Sequence, residues 1–359
     1  MKAFDHIIIG GGICGTMAAE AIRARTPDAS VLIVGAESHR LYSRVMLPHV
    51  IRGRTSEDKA FLRAEESYSE KGIDFLRGVE VTAVDPSARV VTFSNGDSAR
   101  YVTALLIATG GSVRKLSCAG AEIADAMYFQ TMDDMRRIKE TAARTALVYG
   151  GGFIGLELLM SFVHMGLPTV SVVRGKGYFA RLLDARGAEL VADAVRGAGV
   201  DVRLETDIVA VERAEGMKRV HLTRGNSVTC DAIGVGIGIT PNVAFLEGSG
   251  IAVGSGVLTD ASLRASVPGV FAAGDVAEAP DAFTGTRRVT GNWQNAMFQG
   301  KTAGANMAGA AEEFAQLTTY SIAVFGLPVC FMGATEETGE RLVRETAQGS
   351  LQLFLHGGR

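Results

Sequence analysis

Apolar positions in this chain gather in short runs, each closed by glycine. Phe4–Ile9 ends in three isoleucines and meets Gly10, and Leu105-Leu106-Ile107 leads into Ala108-Thr109-Gly110. Ala146–Tyr149 meets Gly150, and Val270–Ala273 delivers Gly274. A short apolar run with a glycine turn behind it predicts a buried strand. Behind the first and third runs the pattern turns helical, alanine-rich from Thr16 to Arg25 and apolar from Leu156 to His164. Second strands follow at Ser30 to Val34 and at Thr169 to Val173. From Gly78 apolar and polar residues alternate. Asn95-Gly96 is a hairpin turn signal between Arg89–Ser94 and Ser98–Val102. This reads as a small β-meander that returns to the core sheet through Leu105, Leu106 and Ile107. A second hairpin-rich stretch, Val200 to Cys230, holds the equivalent place in a second half. Further on, NWQNAMFQGKTAGANMAG reads as a helix with Trp293, Ala296 and Gly300 on one face. The whole order occurs twice, so two βαβ units are predicted in one chain.

The glycines at the two turns share one spacing. Gly10, Gly12 and Gly15 form G-x-G-x-x-G around Ile13 and Cys14, and Gly150, Gly152 and Gly155 repeat it around Phe153 and Ile154. In such a motif the first glycine permits a tight turn, the second admits a pyrophosphate, and the third lets helix lie close on strand. The helix N-terminus then faces the phosphates with its partial positive charge. The halves differ beyond their second strands. The first has Glu37-Ser38, whose carboxylate suits a ribose hydroxyl pair. The second has Val173-Arg174-Gly175-Lys176 and no carboxylate there. A carboxylate repels a 2′-phosphate, while Arg174 and Lys176 attract one. The first site therefore reads as FAD and the second as NADPH; the other reading is that both bases are solvated loop charges and NADH is used.

Three more stretches offer candidates. The segment SHRLYSRVMLPHVIRG is too irregular for a long helix and reads as a loop and short helix over the cofactor. Its Arg44 is either a forked donor to pyrophosphate or flavin oxygens, or a solvated charge. Gly274-Asp275 stands at a strand's end, where Asp275 either accepts from a polyol or caps a helix. The positive end of the helix that begins near Trp293 would favour negative charge on a reduced flavin.

Composition narrows the class. The 359 residues allow two domains or more, and 44 glycines suit tight strand-to-helix turns. A net charge of −3 gives no basic field for nucleic acid. No apolar run approaches the roughly 18 to 20 residues of a membrane span. Ile7–Ile9 is too short for an export signal core, so a cytoplasmic location is expected. Cys14, Cys118, Cys230 and Cys330 are scattered and form no C-x-x-C, which argues against a redox disulfide, a zinc site or an iron–sulfur cluster. Cys14 reads as a small buried hydrophobe, and no metal site is expected.

Taken in order, GGGICG, the ATG at 108–110, GGGFIGLE, GIGITPN and VFAAGDV resemble the FAD-dependent pyridine-nucleotide oxidoreductases of the two-dinucleotide-domain type. The match runs over about residues 4 to 310. YSRVMLP and WQNAMFQG look most like reductases of rubredoxin, reductases of dioxygenase ferredoxins, and the flavin portion of nitrite reductase. The resemblance implies an α/β fold: two Rossmann-like FAD/NAD(P)-binding domains with three-layer ββα sheets, plus a short or truncated C-terminal α+β interface domain. The implied bounds are 1–112 and 233–312 for FAD, 113–232 for NAD(P)H, and 313–359 for an incomplete interface domain entering a hairpin at Gly358-Arg359. Gly10, Gly12, Ile13, Cys14 and Gly15 would hold FAD, with Glu37 and Ser38 at the ribose and Arg44 over the cofactor. Val81 would lie by the adenine, Ala108, Thr109 and Gly110 at the crossover, Gly274 and Asp275 at the ribityl chain, and Trp293 and Ala296 at the helix. Gly150, Gly152, Phe153, Ile154, Gly155, Arg174, Lys176 and Gly236 would hold NAD(P)H. Glu157 would sit near the nicotinamide and flavin N5. Family members pair that glutamate with a lysine whose place here is held by His49. The implied activity passes hydride from NAD(P)H to FAD and electrons to rubredoxin, ferredoxin or a small molecule, with no redox cysteine. A homodimer or a subunit of a larger complex is implied, and a flavin-binding redox sensor is the rival class.

Overall fold

The first apolar run, Lys2–Ile9, lies inside a seven-stranded sheet in the computed structural model, which describes residues 1–333, 340–346 and 349–355. Strand order is Ile73–Arg77, Val31–Gly35, Lys2–Ile9, Ser98–Ile107, Val90–Phe93, Val81–Asp85, with Val270–Ala272 also on Ser98–Ile107. Ser98–Ile107 does two jobs. Its start pairs antiparallel with Val90–Phe93, and its end runs parallel between His6–Ile9 and Val270–Ala272. Parallel strands are covered on both faces, so Ile7, Ile8, Leu105, Leu106 and Ile107 are fully buried.

Helix Ile13–Arg25 starts at Ile13, ahead of its alanine-rich stretch, because Gly12 is the N-cap. Helix Trp293–Met307 packs directly on it. A Cβ at Gly300 would fall 2.2 Å from the Cys14 carbonyl oxygen, and one at Gly304 would fall 2.3 Å from that of Ala18. The helices meet backbone to backbone.

Elsewhere the repeat appears again. Asp201–Arg203, Thr169–Val172, Ala146–Tyr149 and Ala232–Val235 form a parallel sheet in that order. Ile208–Ala214, Met217–Leu222 and Ser227–Cys230 form the antiparallel meander. From Thr319 the described residues form two hairpins, Thr319–Val324 with Leu327–Met332 and Glu340–Thr346 with Gly349–Leu355. The expected hairpin entry at Gly358-Arg359 lies outside the described residues.

The chain divides into two compact units, 1–43 with 58–112 and 240–318, and 44–57 with 113–239 and Thr319 onward. These bounds depart from those implied by resemblance, for stated reasons. Ala232–Val235 is the parallel neighbour of Ala146–Tyr149, which moves the crossing past 239. Helix Leu47–Ile51 packs on Met132–Lys139 and Phe153–His164, which draws 44–57 into the second unit. The first C-terminal hairpin touches the Phe153–His164 helix and joins it too. Among the described residues no helix is long and apolar enough to cross a membrane.

Gly304→Ala should lower the urea midpoint by the equivalent of about 1–3 kcal/mol, because a carbonyl on a packed helix does not give way as a side chain does. A change within about 0.5 kcal/mol would show that the helices part freely.

Candidate functional site

Each glycine turn divides its three glycines between packing and openness. Gly10 sits at φ +121°, and a Cβ there would lie 2.1 Å from the Ala108 carbonyl oxygen. A Cβ on Gly15 would lie 1.9 Å from the Gly10 carbonyl oxygen, yet one on Gly12 would meet nothing within 4 Å. The second turn repeats this. Gly150 at φ +137° faces the Gly236 carbonyl oxygen at 2.2 Å, Gly155 faces that of Gly150 at 2.2 Å, and Gly152 is open. No side chain caps either helix at Gly12 or Gly152. An uncapped helix start beside an open glycine is the cradle a pyrophosphate needs, so both turns fit a dinucleotide.

Around the first turn the sequence candidates converge. Gly274, at φ +80°, would place a Cβ 3.3 Å from that of Cys14 and 3.5 Å from that of Ala296. Its N–H donates to Gln299 Oε1 at 2.8 Å. Asp275 is followed by strand Ala277–Pro280 and not by a helix, so the cap reading falls. Ile13 and Cys14 are buried, and burial with Asp275 nearby pushes the Cys14 thiol up. Trp293 packs against the same core. Asn292 caps that helix, its side chain accepting from the Asn295 N–H at 3.1 Å.

Glu37 is held by bonds of its own. Glu37, half-buried, accepts from the Tyr42 hydroxyl, and its carbonyl accepts from Gly78 N–H at 3.1 Å. Ser38 is exposed, and Val81 opens its strand half-buried. Ala108–Gly110 is laced to Asn242: the Thr109 hydroxyl donates to the Asn242 carbonyl at 2.9 Å, and the Asn242 amide donates back at 3.1 Å.

In the second unit Arg44 donates to the Gln130 carbonyl. Phe153 is half-buried and Ile154 exposed in the first turn of helix Phe153–His164, while Arg174 and Lys176 are exposed beyond strand Thr169–Val172. Glu157 brings a correction. The cation beside it is Arg52, whose Nη2 donates to Glu157 Oε2 at 2.6 Å, and not His49. Arg52 follows the short helix Leu47–Ile51 one turn after His49, and its Nε also donates to the Pro48 carbonyl at 3.1 Å. Burial, helped by Arg52 and Arg54, pulls His49 below its ordinary value and favours the neutral ring. Burial raises the Glu157 carboxyl, with Arg52 pulling back. The signal for Arg52 was a second basic residue three positions beyond His49. Tyr42, Asn242 and Gln299 lie inside the motifs YSRVMLP, GIGITPN and WQNAMFQG, which were the signal for them. All four cysteines are free, and among the described residues no group of three or more His, Cys, Asp or Glu could hold a metal.

Comparison with known proteins gives a consistent picture. The family model described as pyridine nucleotide-disulphide oxidoreductase matches residues 4–300. Apoptosis-inducing factor 3 of Homo sapiens is 30% identical over 96% of this chain, which spans 57% of that relative's length. The anthranilate 1,2-dioxygenase system ferredoxin–NAD(+) reductase component of Burkholderia cepacia is 31% identical over all of this chain and 89% of its own. The putidaredoxin reductase–putidaredoxin complex matches in fold with a TM-score of 0.91 at 22% identity, over 98% of this chain and 87% of that one.

Arg52→Ala should leave the half-buried Glu157 without its cation and destabilise by about 1–3 kcal/mol, with Arg52→Lys recovering part. The pH dependence has a definite sign. The native chain keeps a proton on Glu157 above 4.5 that the unfolded chain has released, so stability falls as pH rises from 4.5 through the raised value. Glu157→Gln should flatten that part of the urea-midpoint profile; parallel profiles for mutant and wild type would refute the assignment.

Proposed function

The chain belongs to the pyridine nucleotide-disulphide oxidoreductase family, and on that premise we propose that it draws electrons from NAD(P)H through FAD and delivers them to a small iron–sulfur protein of the ferredoxin or rubredoxin kind. It is an FAD-dependent NAD(P)H oxidoreductase. The observation that carries the reading is the pair of glycine turns, each with packed outer glycines and an open middle one. Relatives named as ferredoxin–NAD(+) and rubredoxin–NAD(+) reductases support the acceptor class. When bound, FAD supplies the chemistry, accepting hydride from the nicotinamide and giving up electrons singly.

The chain's own residues bind and orient. Gly10, Gly12 and Gly15, with Ile13 and Cys14, would hold the FAD pyrophosphate. Glu37 and Ser38 would take the ribose, Val81 the adenine side, Ala108–Gly110 the crossover, and Asp275 behind Gly274 the ribityl hydroxyls. Trp293 and Ala296 would line the same site. Gly150, Gly152, Phe153, Ile154, Gly155 and Gly236 would hold the nicotinamide nucleotide. Glu157, held by Arg52, and His49 would lie near its reacting end. Four free cysteines suit a reducing compartment, and we place the protein in the cytoplasm, as a homodimer or a subunit of a larger complex. Arg174 and Lys176, both exposed, support NADPH as the donor even though the relatives carry NAD(+) in their names.

Two measurements test this. FAD-loaded protein with NADPH should reduce a ferredoxin or a rubredoxin; ferricyanide turnover with no transfer to either would remove the acceptor class. Arg174→Glu should cut kcat/KM for NADPH by about tenfold or more, close to 1.4 kcal/mol, and spare NADH. Wild type that prefers NADH, with no selective loss in the mutant, would mean Arg174 does not read the phosphate.

A further inference from the structure

The segment from Arg174 to Asp184 is fixed at points its own sequence does not explain. Phe179 stands at φ +51°, in the left-handed region that a bulky residue rarely occupies. Its N–H donates to the Gly151 carbonyl at 2.8 Å, tying it to the second glycine turn. Its ring lies 4.8 Å from that of Phe153, the first residue of the helix, at a tilt of 60°. Two further rings reach the same place from the first C-terminal hairpin. Tyr320 stacks on Phe153 at 5.4 Å and 26°, and Phe331 meets Phe179 at 5.2 Å and Phe153 at 5.9 Å. At the far end of the segment Asp184 accepts from Gly187 N–H at 2.8 Å, capping helix Ala185–Gly197, and also takes Arg341 of the second hairpin.

A strained residue persists only where its surroundings hold it. Here two of the holding groups, Tyr320 and Phe331, come from a part of the chain that contributes no candidate to either dinucleotide site. Aromatic pairs at these separations add stabilisation beyond the area they bury. The Glu205 and Thr206 N–H groups hold the Gly175 and Val173 carbonyls at 3.0 and 3.1 Å. Phe179 anchors the other end of the stretch that carries Lys176, so what fixes Phe179 helps to set where Arg174 and Lys176 stand.

We propose that the C-terminal hairpins clamp this segment, through Tyr320 and Phe331 on Phe153 and Phe179 and through Arg341 on Asp184, and thereby set the nucleotide preference. Tyr320, Phe331 and Arg341 are positioning residues: they act through the segment that carries Arg174 and Lys176. The inference rests on the reading of those two cations as the 2′-phosphate site.

The test uses the FAD-loaded full chain with ferricyanide as acceptor. Tyr320 is half-buried and Arg341 exposed, so truncating either should leave the protein folded. Tyr320→Ala and Arg341→Ala should each raise KM for NADPH, by about five- to tenfold for the ring, with kcat unchanged within about twofold and a smaller rise for NADH. Tyr320→Phe keeps the stack and should restore KM. The clamp is overturned if both truncations leave KM for NADPH unmoved, if NADH and NADPH rise equally, or if kcat falls while KM stays. Should Arg174→Glu lose NADPH while the truncations do nothing, the phosphate reading stands and the clamp alone falls. Should Arg174→Glu leave NADPH untouched, the phosphate reading fails and the clamp falls with it.

Discussion

Backbone meeting backbone without an intervening side chain is the constraint on which the first unit depends. Gly10 lies against Ala108, Gly15 against Gly10, Gly300 against Cys14 and Gly304 against Ala18. These contacts form one connected path from the sheet, through the turn and helix Ile13–Arg25, to helix Trp293–Met307. Packed interiors deform little, so the path fixes the height of one helix over the other and of both over the strand ends. Gly274 is brought against Cys14 and Ala296 as part of the same packing. The same glycines that close these contacts therefore also shape the turn.

The second unit uses the same path with one change. Where the first turn rests on Ala108, the second rests on Gly236, whose own Cβ would fall 2.4 Å from Gly155 N. A side chain at Gly236 would therefore meet the helix backbone. Among the described residues, Ala232–Val235 ends the second sheet with no strand beyond it, whereas Ser98–Ile107 has Val270–Ala272 as a further neighbour. Similar turns thus sit in unlike surroundings, the second with aromatic rings of the first C-terminal hairpin against Phe153.

What the sequence made legible is what short range determines. Apolar runs, glycine spacing and an Asn-Gly turn announce strands, dinucleotide turns and a hairpin because each depends on a few adjacent residues. Both early helices begin three residues before the pattern suggests, since glycine and cap positions dilute the periodicity that marks a helix. Long-range partners were not legible. Arg52 and Glu157 are 105 residues apart, and nothing local distinguishes Arg52 from Arg54 or His49 as the cation that arrives. The same holds for Gly304, one more small residue in a helix already rich in them, until Ala18 is seen against it. Membership of 44–57 in the second unit was hidden for a like reason: a five-residue helix takes its place from what it packs on.

Cys14 shows what such enclosure does to a reactive atom. Thiols react with oxidants chiefly as thiolates, and this one is fully shut away with a carboxylate for a neighbour, both of which hold its proton on. A protein that handles two-electron donors and single-electron acceptors in air works beside a steady trickle of partly reduced oxygen. A thiolate open to it would be oxidised early. Buried and protonated, Cys14 escapes that corrosion and can remain for its size and softness alone.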